Sequence, residues 1–212
     1  KLALDKSALV NFETMMISRY QMFKAVYFHK TVRAGEVMLL EAMSLAEDEL
    51  GLSSLDLEDF LKLSDESVIT KLLNLPEHNS KLKTAKKIAT DYLNRNLFKC
   101  VFERTITHNL GTKIAEELKE GIAKKSNIDS NQIHLDTSTT HSIPMTPTNK
   151  ESKSVILITK EPKVKAEEFL ISKIPLVSTM SGKMNILRVY TQQSNRKKVE
   201  ITAKSILGDL KL

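Results

Sequence analysis

From Ser7 to about Leu50 the apolar side chains recur at steps of three and four. Leu9, Phe12, Met16, Tyr20, Phe23 and Tyr27 form one series; Val32, Met38, Met43 and Ala46 continue on shifted faces. This is helical periodicity, long enough for two helices or for one bent near Gly35. Ser53 or Ser54 stands where it can cap a short helix over Asp56–Leu61, and Ser64 can cap another with Asp65 and Glu66 in its first turn. Pro76 and Asn79 punctuate the chain. Ser80 then opens a helix through Leu93 that turns Leu82, Ala85, Ile88, Ala89 and Leu93 inward. Residues 1–95 therefore read as all-helical.

The period then changes. Across Leu97–Ile106 Phe98, Cys100 and Phe102 alternate with Lys99, Val101 and Glu103, the two-residue repeat of a strand. A short helix over Gly111–Lys125 carries Ile114, Leu118 and Ile122 on one face. Gln132–Asp136, Ser154–Thr159 and Asn185–Thr191 read as strands, and Ser194 or Asn195 can cap a last helix ending near Gly208. Strand, helix, three strands and helix make a small α+β layer rather than a doubly wound sheet. The fold class is α+β: a mainly helical portion over residues 1–95, then a small α+β subdomain over 96–212. Thr137–Ser152, rich in Ser, Thr, Pro and Asn, reads as a loop of the length that is usually mobile or functional.

Composition narrows the classes. The 212 residues are 41% hydrophobic and 27% charged, enough for a real core, with no Trp and eight Met. No apolar run approaches the ~20 residues of a membrane span, no secretory leader pattern opens the chain, and the single Cys100 suits a reducing cytoplasm. Its plain reading is a small apolar strand residue. The net charge of +6 lies wholly in the second half: residues 1–104 carry 15 basic and 15 acidic side chains, residues 105–212 carry 17 and 11. The lysines there are scattered singly or in pairs, as on solvated amphipathic helices, so a nucleic-acid ligand is possible but not favoured.

Searches for catalytic constellations return blanks. The five histidines form no HExxH pair, there is no CxxC, no phosphate-cradling glycine loop and no GxSxG turn. There is no adjacent His-Asp dipeptide either, so the chain shows no metal ligands and no catalytic residue of its own, although phosphate-ester hydrolysis generally needs a metal or an equivalent charge clamp. What it does carry is a polar stripe. At 3.6 residues per turn Arg19, Phe23, Tyr27 and Lys30 lie within about 80° of one another, with His29 roughly 200° from Tyr27. A guanidinium with a nearby ammonium suits phosphate, and a tyrosine ring suits a sugar or base. The plainer alternative puts Tyr20, Phe23 and Tyr27 in the core, snorkels Arg19 and Lys30 to water, and makes His29 an interior imidazole.

The segment Ser18-Arg19-Tyr20-Gln21-Met22-Phe23-Lys24-Ala25-Val26-Tyr27-Phe28-His29-Lys30-Thr31-Val32-Arg33 and its continuation Glu36–Ala42 resemble the helix that follows the metal site in HD-domain deoxynucleotide triphosphohydrolases. The likeness continues in order through Asp59–Asp65, Asn94–Lys99 and Asn185–Tyr190. The resemblance implies an HD-type helical domain that lacks its metal-binding half, with the HD motif and its divalent metal on a segment preceding Lys1. It implies that Arg19 contacts substrate phosphates, that Tyr27 packs on the deoxyribose beside Phe23, and that His29 and Lys30 face a second nucleotide at a subunit interface, as in the regulated members. Three departures weaken base selectivity and allosteric control: Phe23 stands where those members have His, Phe28 where they have Gln, and Ala25 where they have Arg.

The resulting expectation is the C-terminal half of a cytoplasmic, metal-dependent phosphohydrolase that splits a dNTP into deoxynucleoside and triphosphate and assembles as a homo-oligomer, dimer or tetramer. This chain by itself would be inactive. The competing reading is a non-catalytic regulatory or assembly module that binds nucleotide or single-stranded nucleic acid through its basic second half.

Overall fold

A computed structural model describes residues 4–107, 110–141, 155–159, 167–170 and 183–208. The chain is mainly helical with small sheets, an α+β fold. Helices α1 (Leu9–Met22), α2 (Lys30–Leu45), α3 (Glu47–Leu50), α4 (Leu57–Leu61), α5 (Asp65–Leu73) and α6 (Ser80–Leu93) precede strand β2 (Lys99–Ile106). Helix α7 (Thr112–Ser126), strand β3 (Ile133–His141), strand β6 (Lys183–Thr191) and helix α8 (Arg196–Leu207) complete the second layer. Strands β1 (Leu4–Asp5), β4 (Val155–Thr159) and β5 (Glu167–Leu170) make a separate sheet in the order β1-β4-β5, the first pair parallel and the second antiparallel. Among the described residues no helix is long and apolar enough to cross a membrane.

The antiparallel sheet β2-β6-β3 lies between two groups of helices, which explains why its central strand is buried from Asn185 to Thr191. One face joins α2, α5 and α6 in a core built on Met38, Leu72, Leu82, Ala85, Ala89 and Phe98, to which β6 adds Tyr190. The other face packs Leu187, Val189, Val101 and Ile133 against Ile122 of α7 and Val199, Ala203 and Leu207 of α8. A bulge between Cys100 and Phe102 turns Val101 into the second core, so strict alternation along β2 fails there. Cys100 is a half-buried thiol that donates to the Phe102 carbonyl at 3.3 Å, and burial pushes its pKa up.

Several local expectations need correction. The first helical run does not bend at Gly35. It breaks at Phe28–His29, and Gly35 lies inside α2, where a Cβ would sit 3.2 Å from the Tyr92 ring of α6. That glycine allows the close approach of two helices. Helix α4 is capped by Asp56, which accepts from the Asp59 amide, because Ser53 and Ser54 are taken up in a 3-10 turn. Ser64 does cap α5, reciprocally with Ser67, in the manner of a capping box. Asn195 makes no cap bond to α8 and donates instead to Gln132 Oε1 at 2.6 Å. Leu93 and Ile114, expected inward, are about half exposed. Of the expected loop 137–152, residues 137–141 belong to β3, whose nine residues pair in unbroken register with β6; residues 142–152 lie outside the described residues. His108 also lies outside them.

Candidate functional site

The stripe forms on an irregular helix. After Met22 the chain widens into a π-helix, Phe23–Tyr27, closed by the Phe28 amide donating to the Phe23 carbonyl at 2.8 Å. Such single wide turns occur often at functional positions. Helix geometry then stops because His29 is extended (φ −63, ψ 135), and its Nδ1 accepts from the Thr31 amide at 3.3 Å to cap α2.

The wide turn gathers three of the expected residues. The Arg19 guanidinium lies 4.9 Å over the Phe23 ring, and the Phe23 and Tyr27 rings are 4.8 Å apart at a 43° tilt. Phe28 touches the other side of Phe23, with 6.1 Å between ring centroids. Tyr27 is 51% exposed and Arg19 is exposed, whereas Phe23 is half-buried between them. The core alternative therefore fails for Tyr27, whereas an exposed Arg19 fits both readings; the rings form a surface stack worth about 0.5–1.5 kcal/mol, and the exposed cation adds somewhat less. His29 is exposed and capping rather than interior. It and Lys30 lie beyond the break, so the structure does not join them to the Arg19–Phe23–Tyr27 stack as one continuous helical face.

The same helical run also exposes large apolar side chains. Met15, Met22 and Val26 are each about half exposed, and Met16 is the only buried side chain of α1. None of the residues of α1 belongs to either core.

The break itself is held by a polar face of the sheet, which periodicity did not reveal. Arg188 of β6 donates from Nη2 to the Phe28 carbonyl at 2.7 Å and from Nε to Glu103 at 2.6 Å. Tyr190, two residues on, donates to the Lys30 carbonyl at 3.0 Å. Burial lifts the Tyr190 hydroxyl far above the ordinary tyrosine range, so it stays a donor. From β3, Asp136 takes Arg33 in a bidentate pair at 3.0 and 2.5 Å, and Arg33 also pairs with Glu36. Asp136 raises the Arg33 pKa. Further along α2, Glu41 lies 3.5 Å from Nδ1 of His134, whose ring stacks on Phe98 at 4.6 Å. The His134 contact holds the Glu41 carboxyl below its usual value. In the sequence Arg188, Asp136 and His134 sat inside strand patterns and signalled nothing. Charged or polar residues in the centre of a strand buried on both faces were the available sign.

Among the described residues no group of three or more His, Cys, Asp or Glu is placed to hold a metal. The described residues do not themselves fit a resident metal.

The chain matches the model of the HD associated region over residues 1–211. It is 30% identical over 149 residues to an HD domain-containing protein of Acanthamoeba polyphaga mimivirus, covering 63% of this chain and 32% of that one. It is 31% identical over 121 residues to the deoxynucleoside triphosphate triphosphohydrolase SAMHD1 homolog of Dictyostelium discoideum, covering 56% of this chain and 23% of that one. The chain thus spans a third or less of these relatives. Two solved structures share the fold: a phosphohydrolase of Bacteroides thetaiotaomicron (TM-score 0.57, 18% identity, 91% of this chain and 52% of that one) and a protein of Aquifex aeolicus (TM-score 0.61, 20% identity, 95% and 47%). The chain belongs to the HD associated region family.

Proposed function

We propose that this chain forms the substrate-side wall of an HD phosphohydrolase that splits dNTPs into deoxynucleoside and triphosphate. The observation that carries the reading is the exposed Arg19–Phe23–Tyr27 stack, a guanidinium and a phenol presented together on a wide helical turn. The triphosphohydrolase activity for which the Dictyostelium relative is named supports the substrate class. Arg19 holds phosphate oxygens through its fork of donors, and Tyr27 lays its ring on the sugar, so both contribute position and charge rather than bond-making. The divalent metal that the family resemblance implies would be held by residues other than those described here, on a longer protein that contains this chain. The half-exposed apolar side chains of the same helical run suit packing within such a protein, which we take to be a homo-oligomer.

The test is product analysis. The longer protein is incubated with each dNTP and Mn²⁺ or Mg²⁺. Deoxynucleoside and intact triphosphate support the reading; pyrophosphate with a nucleoside monophosphate, or no turnover of any dNTP, contradicts it.

A further inference from the structure

We infer that Arg188 and Tyr190 are positioning residues that set the angle between the Arg19–Phe23–Tyr27 stack and helix α2; this rests on the pocket-wall reading above. The two side chains alternate on one face of β6, about 7 Å apart along the strand. The carbonyls they take, Phe28 and Lys30, flank the extended residue His29, where the helical path turns. The donors are two residues apart on the strand and the acceptors two residues apart across His29, so a two-residue slip of the strand would leave at least one carbonyl without its donor.

The contacts cross 160 residues of sequence and are part-buried, with both donor side chains enclosed: Tyr190 fully and Arg188 at 3% exposure. Apolar packing alone would let α2 slide on the sheet, whereas two directed bonds on either side of the turn fix where the π-helix leaves it. Burial energy does not by itself favour this arrangement. Among the described residues Arg188 Nη1 has no hydrogen-bond partner, and the carboxylate on Nε, Glu103, is half exposed. A phenylalanine at position 190 would fill nearly the same space and leave the Lys30 carbonyl without its donor from the sheet.

Tyr190→Phe tests the inference, because it removes one hydroxyl and keeps the ring in the core. As the first helical carbonyl of α2, Lys30 retains a ladder donor four residues on. The expected result, from the worth of one neutral hydrogen bond, is roughly three- to tenfold faster amide exchange over His29–Arg33 and a similar rise in KM for dNTP in the longer protein. A residue with only a structural role would lower the folded fraction, and with it apparent kcat, leaving KM unchanged. Arg188→Lys, which keeps one donor for the Phe28 carbonyl, should give a smaller change in both readouts. Unchanged exchange in both variants overturns the inference. So does faster exchange with an unchanged KM where Arg19→Ala raises it. If Arg19→Ala leaves the kinetics intact, the pocket-wall reading fails and this inference falls with it.

Discussion

Tyr27 separates a binding surface from a core at the level of one ring. A buried aromatic truncated to alanine costs about 3–5 kcal/mol, but Tyr27 is 51% exposed and touches chiefly Phe23. Tyr27→Ala should therefore cost about 1 kcal/mol or less in thermal unfolding while raising KM for dNTP in the longer protein. A fall in Tm typical of a core aromatic, with normal kinetics, would return the ring to packing alone. The grouping of Arg19, Phe23 and Tyr27 was legible from residue spacing, since four-residue neighbours stack on a helix whether its turn is α or π. The placement of His29 and Lys30 was not legible. Lys30 leaves the stripe only because the backbone is extended at His29, itself off the stripe by helical spacing, and no residue type there announces a break. Glu41 gives a second residue-scale test. Its lowered pKa means that the folded state prefers the carboxylate, so its stabilisation is present above the ordinary glutamate pKa and fades as pH falls through the lower folded value. Glu41→Gln should lose about 0.5–1.5 kcal/mol at pH 6–7, and the gap to the parent should close below about pH 4. A gap independent of pH would remove the His134–Glu41 contact from the account.

Between elements, the decisive joints are polar. Helix α2 meets the sheet through Arg33–Asp136, Glu41–His134 and the Tyr190 bond to the Lys30 carbonyl, with Arg188 holding the Phe28 carbonyl just before it, rather than through an apolar stripe alone. Asp136→Ala leaves a largely buried guanidinium without its bidentate partner and should cost about 3 kcal/mol or more. Asp59→Ala, which breaks the exposed Lys62 pair, should change stability by less than about 1 kcal/mol. Chemical denaturation of the two variants checks the contrast, and equal effects would mean that α2 is held by its apolar contacts only. The sequence pattern placed α5, α6, α7 and most of β2 and β6, although Leu93 and Ile114 depart from the helical repeat, a bulge interrupts β2 and β6 is buried on both faces. It missed β5, whose Glu167-Glu168-Phe169-Leu170 has no alternation to read, and the end of β3, where Thr137–Thr140 resembled loop composition although Thr is a good strand former.

In the whole molecule, two helical layers share one sheet, and the candidate site sits on a helix outside both cores, oriented from the sheet's buried polar face. The α+β class was readable from the change of period after residue 95, and the family likeness most clearly from Arg19 through Arg33. The path from β6 back to that segment was not, because contacts 160 residues apart leave no local pattern. With no metal-holding cluster among its described residues and no His-Asp pair in its sequence, the 212-residue chain alone should release no triphosphate from any dNTP; steady release by pure chain would contradict the division of labour proposed here. The central claim is that Arg19 touches substrate phosphate, and it is tested most directly by kcat/KM for dNTP hydrolysis by the longer protein carrying Arg19→Ala or Lys24→Ala. Losing one charge-assisted phosphate contact is worth roughly 1.5–3 kcal/mol, so Arg19→Ala should lower kcat/KM by about ten- to a hundredfold while Lys24→Ala, at an exposed lysine of the same wide turn, stays within about threefold of the parent. Equal losses from the two substitutions would contradict it.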